Sequence, residues 1–147
     1  MKRLFILLLI LFSCSQNQFS KNFLTFELRL AETESTPNLI EMLLYNSEEK
    51  FYVHDTAYIT NEDIQSAELI NVQGKPNILV YLSSTGREKF SVFTKKYVGR
   101  RAAMLVDKEL VSAPLINSQI TEGKLIIMGF FTHKEALSIS KGIIPKN

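Results

Sequence analysis

At 147 residues and 46% hydrophobic content, the chain can bury one core and is too short for two ordinary domains. Its net charge of +2 is owed to Lys2 and Arg3; the remaining 15 basic residues face 15 acidic ones, so the neutral body excludes a strong polyanion partner such as nucleic acid. A single cysteine, Cys14, excludes an intramolecular disulfide, a thiolate metal cluster and a CxxC redox pair.

Met1-Lys2-Arg3 is followed by an unbroken apolar run over residues 4–12. That run is far below the ~20 residues a membrane-spanning helix needs. It has the size of a signal-peptide core instead. It ends in Leu11-Phe12-Ser13-Cys14, which resembles a bacterial lipobox: Leu at −3, a small residue at −1, and the cysteine that is acylated before cleavage. The expectation is a lipoprotein signal peptide over 1–13 and a lipid anchor on Cys14, against the alternative of an ordinary secretory peptide. Each buried CH₂ of an acyl chain contributes about 0.8 kcal/mol, so multiple acylation makes a stable membrane anchor. Ser15 stands where an Asp would retain such a protein at the inner membrane, which favours the outer membrane. Residues 14–22 are polar and aperiodic and read as the lipidated tether. The folded domain is expected over 23–142, with a tail over 143–147.

Phe26-Glu27-Leu28-Arg29-Leu30 alternates apolar and charged residues, the period of a half-buried strand. Leu39, Ile40, Leu43 and Leu44 recur at helical spacing behind Pro37, predicting a short helix over 37–45. A brief strand is expected over 51–54. Thr60, Thr85 and Thr132 each stand three residues before an acid, the capping-box pattern, and predict helices over about 61–67, 86–98 and 133–142. Gly99 is placed to close the middle helix, whose Phe90, Phe93 and Tyr97 form an apolar stripe. Residues 77–82 and 124–131 are nearly continuous apolar runs and read as interior strands. Residues 102–106 and 109–112 flank Asp107-Lys108, a link too short for anything but a hairpin. The class is α+β: a mainly antiparallel sheet with two to four short helices.

The ordered set from Gly99-Arg100-Arg101 through Ser112-Ala113-Pro114 to Asn117, then Ile120-Thr121-Glu122-Gly123 and Gly129-Phe130-Phe131-Thr132, resembles the head subdomain of the first periplasmic domain of SecD. Phe26 to Leu30 and Ile59 to Ala67 are similar to the family's opening strand and its Leu-Thr-Gly-x-Asp-Ile segment. The resemblance covers roughly residues 23–142. Lys108 stands where the family's turn has Gly, so a left-handed conformation there costs Lys on the order of 1 kcal/mol unless the turn is of another type. SecD is a multispanning subunit whose membrane helices, with SecF, couple proton flow to export. This chain shows no spanning segment after Cys14, so the resemblance implies the head's binding surface without the motor.

His54 and His133 share no HxxxH or HxxE spacing, there is no Gly-x-Ser-x-Gly elbow, and Gly-rich phosphate loops are absent. Glu32, Glu34, Glu41, Glu48 and Glu49 read as scattered surface acids. The chain is therefore read as non-enzymatic, with no metal and no cofactor. Lys95, Lys96, Arg100 and Arg101 are the one basic concentration; cations at a helix C-terminus complement its dipole, and the functional alternative is contact with lipid headgroups or an acidic protein. Ser112 and Pro114 through Asn117 shape a loop, because Pro ends strand pairing. An extended client lying beside an exposed strand edge near that loop is the alternative. Together, Lys95, Lys96, Arg100, Arg101, Ser112, Pro114 and Asn117 mark the expected partner surface. The partners it implies are the membrane through Cys14 and an unfolded exported polypeptide or Sec component. A structural adaptor with one fixed envelope partner is the second reading.

Overall fold

A computed structural model describes residues 18–146; the expected signal peptide and the expected lipidation site at Cys14 lie outside them. The chain runs β1 (Phe26–Glu32), β2 (Ile40–Leu43), β3 (Lys50–Thr60), a 3-10 turn (Asn61–Asp63), β4 (Ile64–Val72), β5 (Lys75–Leu82), α1 (Ser84–Lys96), β6 (Arg101–Val106), β7 (Glu109–Ser112), β8 (Lys124–Ile127) and α2 (His133–Gly142). All pairings are antiparallel. One sheet has the order β2-β3-β1-β6-β7 and the other β4-β5-β8. The class is α+β, as expected.

The two sheets share a core. Leu28 and Leu30 of β1, Ile59 of β3, Met104 and Val106 of β6, Ile78 and Val80 of β5 and Ile127 of β8 meet Phe90 and Phe93 of α1 and Ala136 and Ile139 of α2. The five-stranded sheet also curls. Just past β2, the Tyr45 N–H donates to the carbonyl of Leu110 on β7, the opposite outer strand, at 2.8 Å. The hollow that this closes is filled by Phe51, Val53, Ala103, Leu105 and Leu110. At about 25 cal/mol per Å² of apolar area removed from water, these two clusters carry most of the fold's stability.

The hairpin β6–β7 and helix α2 form where the sequence places them. Asp107 and Lys108 adopt φ of 47° and 68°, the left-handed pair of a type I′ turn, so Lys108 takes the Gly conformation at its steric cost. Thr132 Oγ1 accepts from the Glu135 N–H at 3.2 Å while Glu135 Oε2 accepts from the Thr132 N–H at 2.8 Å, closing a reciprocal cap on α2. Helix α1 starts two residues earlier than predicted: Ser83 Oγ, not Thr85, accepts from the Gly86 N–H at 3.1 Å.

Four expectations are corrected. The helix over 37–45 is instead a Pro37-Asn38 turn, with Asn38 at φ 71°, followed by strand β2. Met42 and Leu44 pack inward and Leu43 between them stays exposed, the alternation of a strand, while Ile40 at the start of β2 is also exposed. The helix over 61–67 stops after one 3-10 turn, because residues 64–72 pair along their whole length with β5. The strand expected over 124–131 ends at Ile127 and is an outer strand rather than an interior one. A Cβ at Gly129 would meet the Phe131 ring at 2.5 Å and the Val111 carbonyl at 2.7 Å, so the chain turns tightly there. The packed unit also reaches past 23–142, since Phe19 and Ile143 are fully buried. Among the described residues no helix is long and apolar enough to cross a membrane.

A candidate binding groove between two strand edges

The chain beyond β7 does not leave its sheet at Pro114. Pro114 has no N–H to give, yet its carbonyl accepts from the Ala102 N–H at 3.0 Å, and the Ile116 N–H donates to the Arg100 carbonyl at 2.8 Å. Residues 114–116 therefore continue the outer edge of the five-stranded sheet, with a bridge between Arg101 and Leu115. The following loop is bolted to α1: Thr94 Oγ1 accepts from the Ile120 N–H at 2.9 Å and Gln119 donates to Ser91 Oγ at 2.8 Å. Arg87 also donates to the Thr121 carbonyl. Gly123, at φ 69°, then returns the chain into β8. Strand β8 pairs with β5 on one side only and forms the outer edge of its sheet.

Between these two edges lies a groove of about 480 Å³. Its floor is Phe90, Thr94, Ala102, Met104, Ile116 and Leu125, and its rim is Pro114, Leu115, Asn117, Glu122, Lys124, Ile126 and Met128. Leu115, Ile126 and Met128 are large apolar side chains left 47%, 37% and 50% exposed along it. A strand edge beside an apolar channel presents main-chain donors and acceptors next to hydrophobic surface. That combination suits an extended polypeptide.

The expected site residues divide. Pro114 and Asn117 lie on the groove, while Ser112 is buried beneath its strand. The basic group does not form one patch. Lys96 Nζ and the Arg100 guanidinium stand 5.1 and 5.3 Å from the centre of the Tyr97 ring, and Lys95 is exposed at the end of α1. Arg101 turns toward the curled sheet, 5.5 Å from the Phe51 ring, and donates to the Ala113 carbonyl at 2.8 Å. Tyr97 hydrogen-bonds Tyr58 at 2.9 Å; that bond and Lys96 pull the Tyr97 phenol below its ordinary range, while the same bond pushes Tyr58 up. His54 Nε2 lies 2.9 Å from Glu32, which also pairs with Arg100. His133 is exposed in the first turn of α2. No group of three or more His, Cys, Asp or Glu converges among the described residues.

Ile126 and Met128 were not marked by the residue patterns. In the structure Lys124, Ile126, Met128 and Phe130 all lie open to solvent, an alternation that the nearly unbroken apolar run did not show.

The fold is that of a small two-sheet α+β subdomain. Residues 38–142 match the SecDF P1 head subdomain family, and the chain belongs to that family. It is 32% identical to the SecD translocase subunit of Aquifex aeolicus over 110 residues, 74% of this chain and 22% of that protein. It is 33% identical over 99 residues to SecD of Sebaldella termitidis, 65% of this chain and 23% of that one. The chain thus spans a little over a fifth of the length of these relatives. Among solved structures, a membrane component SecDF that enhances protein export superposes with a TM-score of 0.67 at 21% identity, over 83% of this chain and 62% of that one. SecDF in its super-membrane-facing form gives 0.66 at 21% identity, over 81% and 18%. These structures carry the same fold.

Proposed function

We propose that this chain is a non-enzymatic, membrane-tethered binding domain of protein export, holding an extended segment of an exported polypeptide in the groove between β8 and residues 114–118. The observation that carries the reading is the one-sided pairing of β8 beside the apolar side chains of Leu115, Ile126 and Met128. Membership of the SecDF P1 head family supports an association with export. The lipobox at Cys14 supports a lipid anchor on the far side of the envelope membrane from the cytoplasm, and Ser15 favours the outer membrane.

The magnitudes suit a transient holder. A segment covering about 200 Å² of apolar groove gains roughly 5 kcal/mol, most of which the lost freedom of association offsets. What remains corresponds to a Kd of about 10 mM or weaker, to which main-chain hydrogen bonds that tolerate many client sequences add. In-cell photocrosslinking from probes at Leu115, Asn117 and Ile126 tests it. A ladder of many exported proteins is the expected result. One discrete adduct, indifferent to unfolded chains, makes the protein an adaptor for a fixed envelope partner instead.

A further inference from the structure

The root of the described structure is fixed beside an exposed apolar surface that lies past the end of the groove. Phe19 is fully buried, its ring 5.1 Å from Tyr45. Tyr45 stacks on Phe131 at 6.4 Å, and the neighbouring Asn46 amide donates to the Phe130 carbonyl at 3.0 Å. Phe130, 55% exposed, and Met128, 50% exposed, bound a shallow depression of about 270 Å³ together with Leu44, Val72 and Lys75. The chain enters its core within one side chain of this surface.

Five peptide steps separate Phe19 from Cys14, and fully extended they reach at most about 18 Å. A lipid on Cys14 therefore confines this end of the domain to the bilayer surface, close to the 5–10 Å interfacial layer into which apolar faces sink. We infer that the Phe130 and Met128 end of the domain docks on the lipid bilayer, with both side chains among the acyl-chain ends of the headgroup layer. The inference rests on the reading of Cys14 as the anchor. Lys75 faces headgroup phosphates there, but Glu49, whose carbonyl accepts from Leu44, carries the opposite sign on the adjoining turn. Docking is thus driven by apolar burial and does not depend on anionic lipid. Because Met128 also lines the groove, the docked domain holds one mouth of the groove at the membrane surface.

The chain contains no tryptophan, so one introduced indole is a unique reporter. The full chain carrying Phe130→Trp, or Val92→Trp on the 66% exposed outer face of α1, is reconstituted in zwitterionic vesicles with bromine-bearing acyl chains. Docking predicts that indole emission in the Phe130→Trp variant is quenched at least about twofold more than in the Val92→Trp variant, as interfacial depth requires. Equal quenching in the two variants, with the protein still sedimenting with the vesicles, overturns the docking and leaves the anchor standing. A chain that does not sediment with vesicles overturns the anchor and the docking together. Shielding of the Phe130→Trp indole from aqueous iodide without quenching by the brominated lipid means that protein covers the patch, the leader or a second copy, and also overturns it.

Discussion

Asn61 and Ile143 stand 82 residues apart in sequence and are joined by one hydrogen bond, the Asn61 amide donating to the Ile143 carbonyl at 2.8 Å. The same amide donates to the Leu24 carbonyl at 2.9 Å, and its oxygen accepts from the Phe26 N–H at 2.8 Å. One side chain at the junction of the two sheets therefore clamps both ends of the packed unit. Asn61→Ala leaves three part-buried backbone groups without it and is expected to cost about 2–3 kcal/mol in urea unfolding. Asn61→Asp, which has no N–H to give, should cost a similar amount. A loss below about 0.5 kcal/mol in both variants would mean that water replaces the clamp.

Helix propensity alone makes Gly86→Ala in α1 stabilising by about 1 kcal/mol. The packing reverses that sign. A Cβ at Gly86 would stand 2.5 Å from the Asp63 carbonyl oxygen and 2.8 Å from its Cβ, and neither backbone nor a side chain held by Lys89 at 2.8 Å can retreat cheaply. A net destabilisation of about 1–3 kcal/mol is expected. A raised melting temperature for this variant contradicts the close contact between α1 and the 3-10 turn.

Asp107 links the hairpin turn to the start of the domain. Burial pushes its carboxyl up, but the Lys21 ammonium at 2.8 Å and the Thr25 N–H at 2.9 Å outweigh that and hold it below the ordinary carboxylate range. A depressed folded pKa means that the folded state releases this proton more readily than the unfolded chain. The stability it confers is therefore full above the unfolded value of about 3.9 and is lost as pH falls through the lower folded value. The difference in stability between wild type and Asp107→Asn should shrink as pH falls below about 4. A difference independent of pH over that window rules the carboxylate out as its source.

Tyr45 sets the alkaline limit. Burial and the hydrogen bond its phenol donates to Glu135 at 2.7 Å push its pKa up to about 12. A raised folded pKa gives stability that is present below the unfolded value of about 10 and is lost as pH rises through the folded one. Tyr45→Phe should lose stability less steeply between these limits, and phenolate absorbance should lose its latest-titrating component. An unchanged final phase of the titration places that component on another tyrosine.

The groove makes a prediction separable from folding. Ile126→Glu and Met128→Glu put charge on side chains already exposed, so stability should stay within about 0.5 kcal/mol of wild type. Crosslinking of polypeptides from Asn117 should fall severalfold in both. Retained crosslinking with intact folding moves the binding surface off this groove.

What was legible in the residues was what local chemistry decides. Asp107-Lys108 between two apolar runs can only be a hairpin, and Thr132 with Glu135 caps α2 without help from the rest of the chain. The strands β2 and β4 were not legible, because their pairing partners decide them: Ile64 follows a genuine capping acid, Asp63, yet enters a nine-residue strand matched to β5. The site divides the same way. Pro114 and Asn117 stood out as loop residues. Ile126 and Met128 lay hidden in an apolar run, which says that both faces of a strand avoid water but not that one of them awaits a partner.

The Leu24 N–H donates to the Gly142 carbonyl at 2.8 Å, so the chain enters the packed unit and leaves it at neighbouring points. A unit with touching ends can be spliced into a surface loop of a larger chain without distorting either, and can be moved from one host to another as a cassette. That geometry suits a fold whose match occupies only 22% of the Aquifex aeolicus relative. It also means that joining residues near Leu24 and Gly142 and opening the chain at the exposed Gln73-Gly74 turn should yield a circular permutant that keeps the same fold.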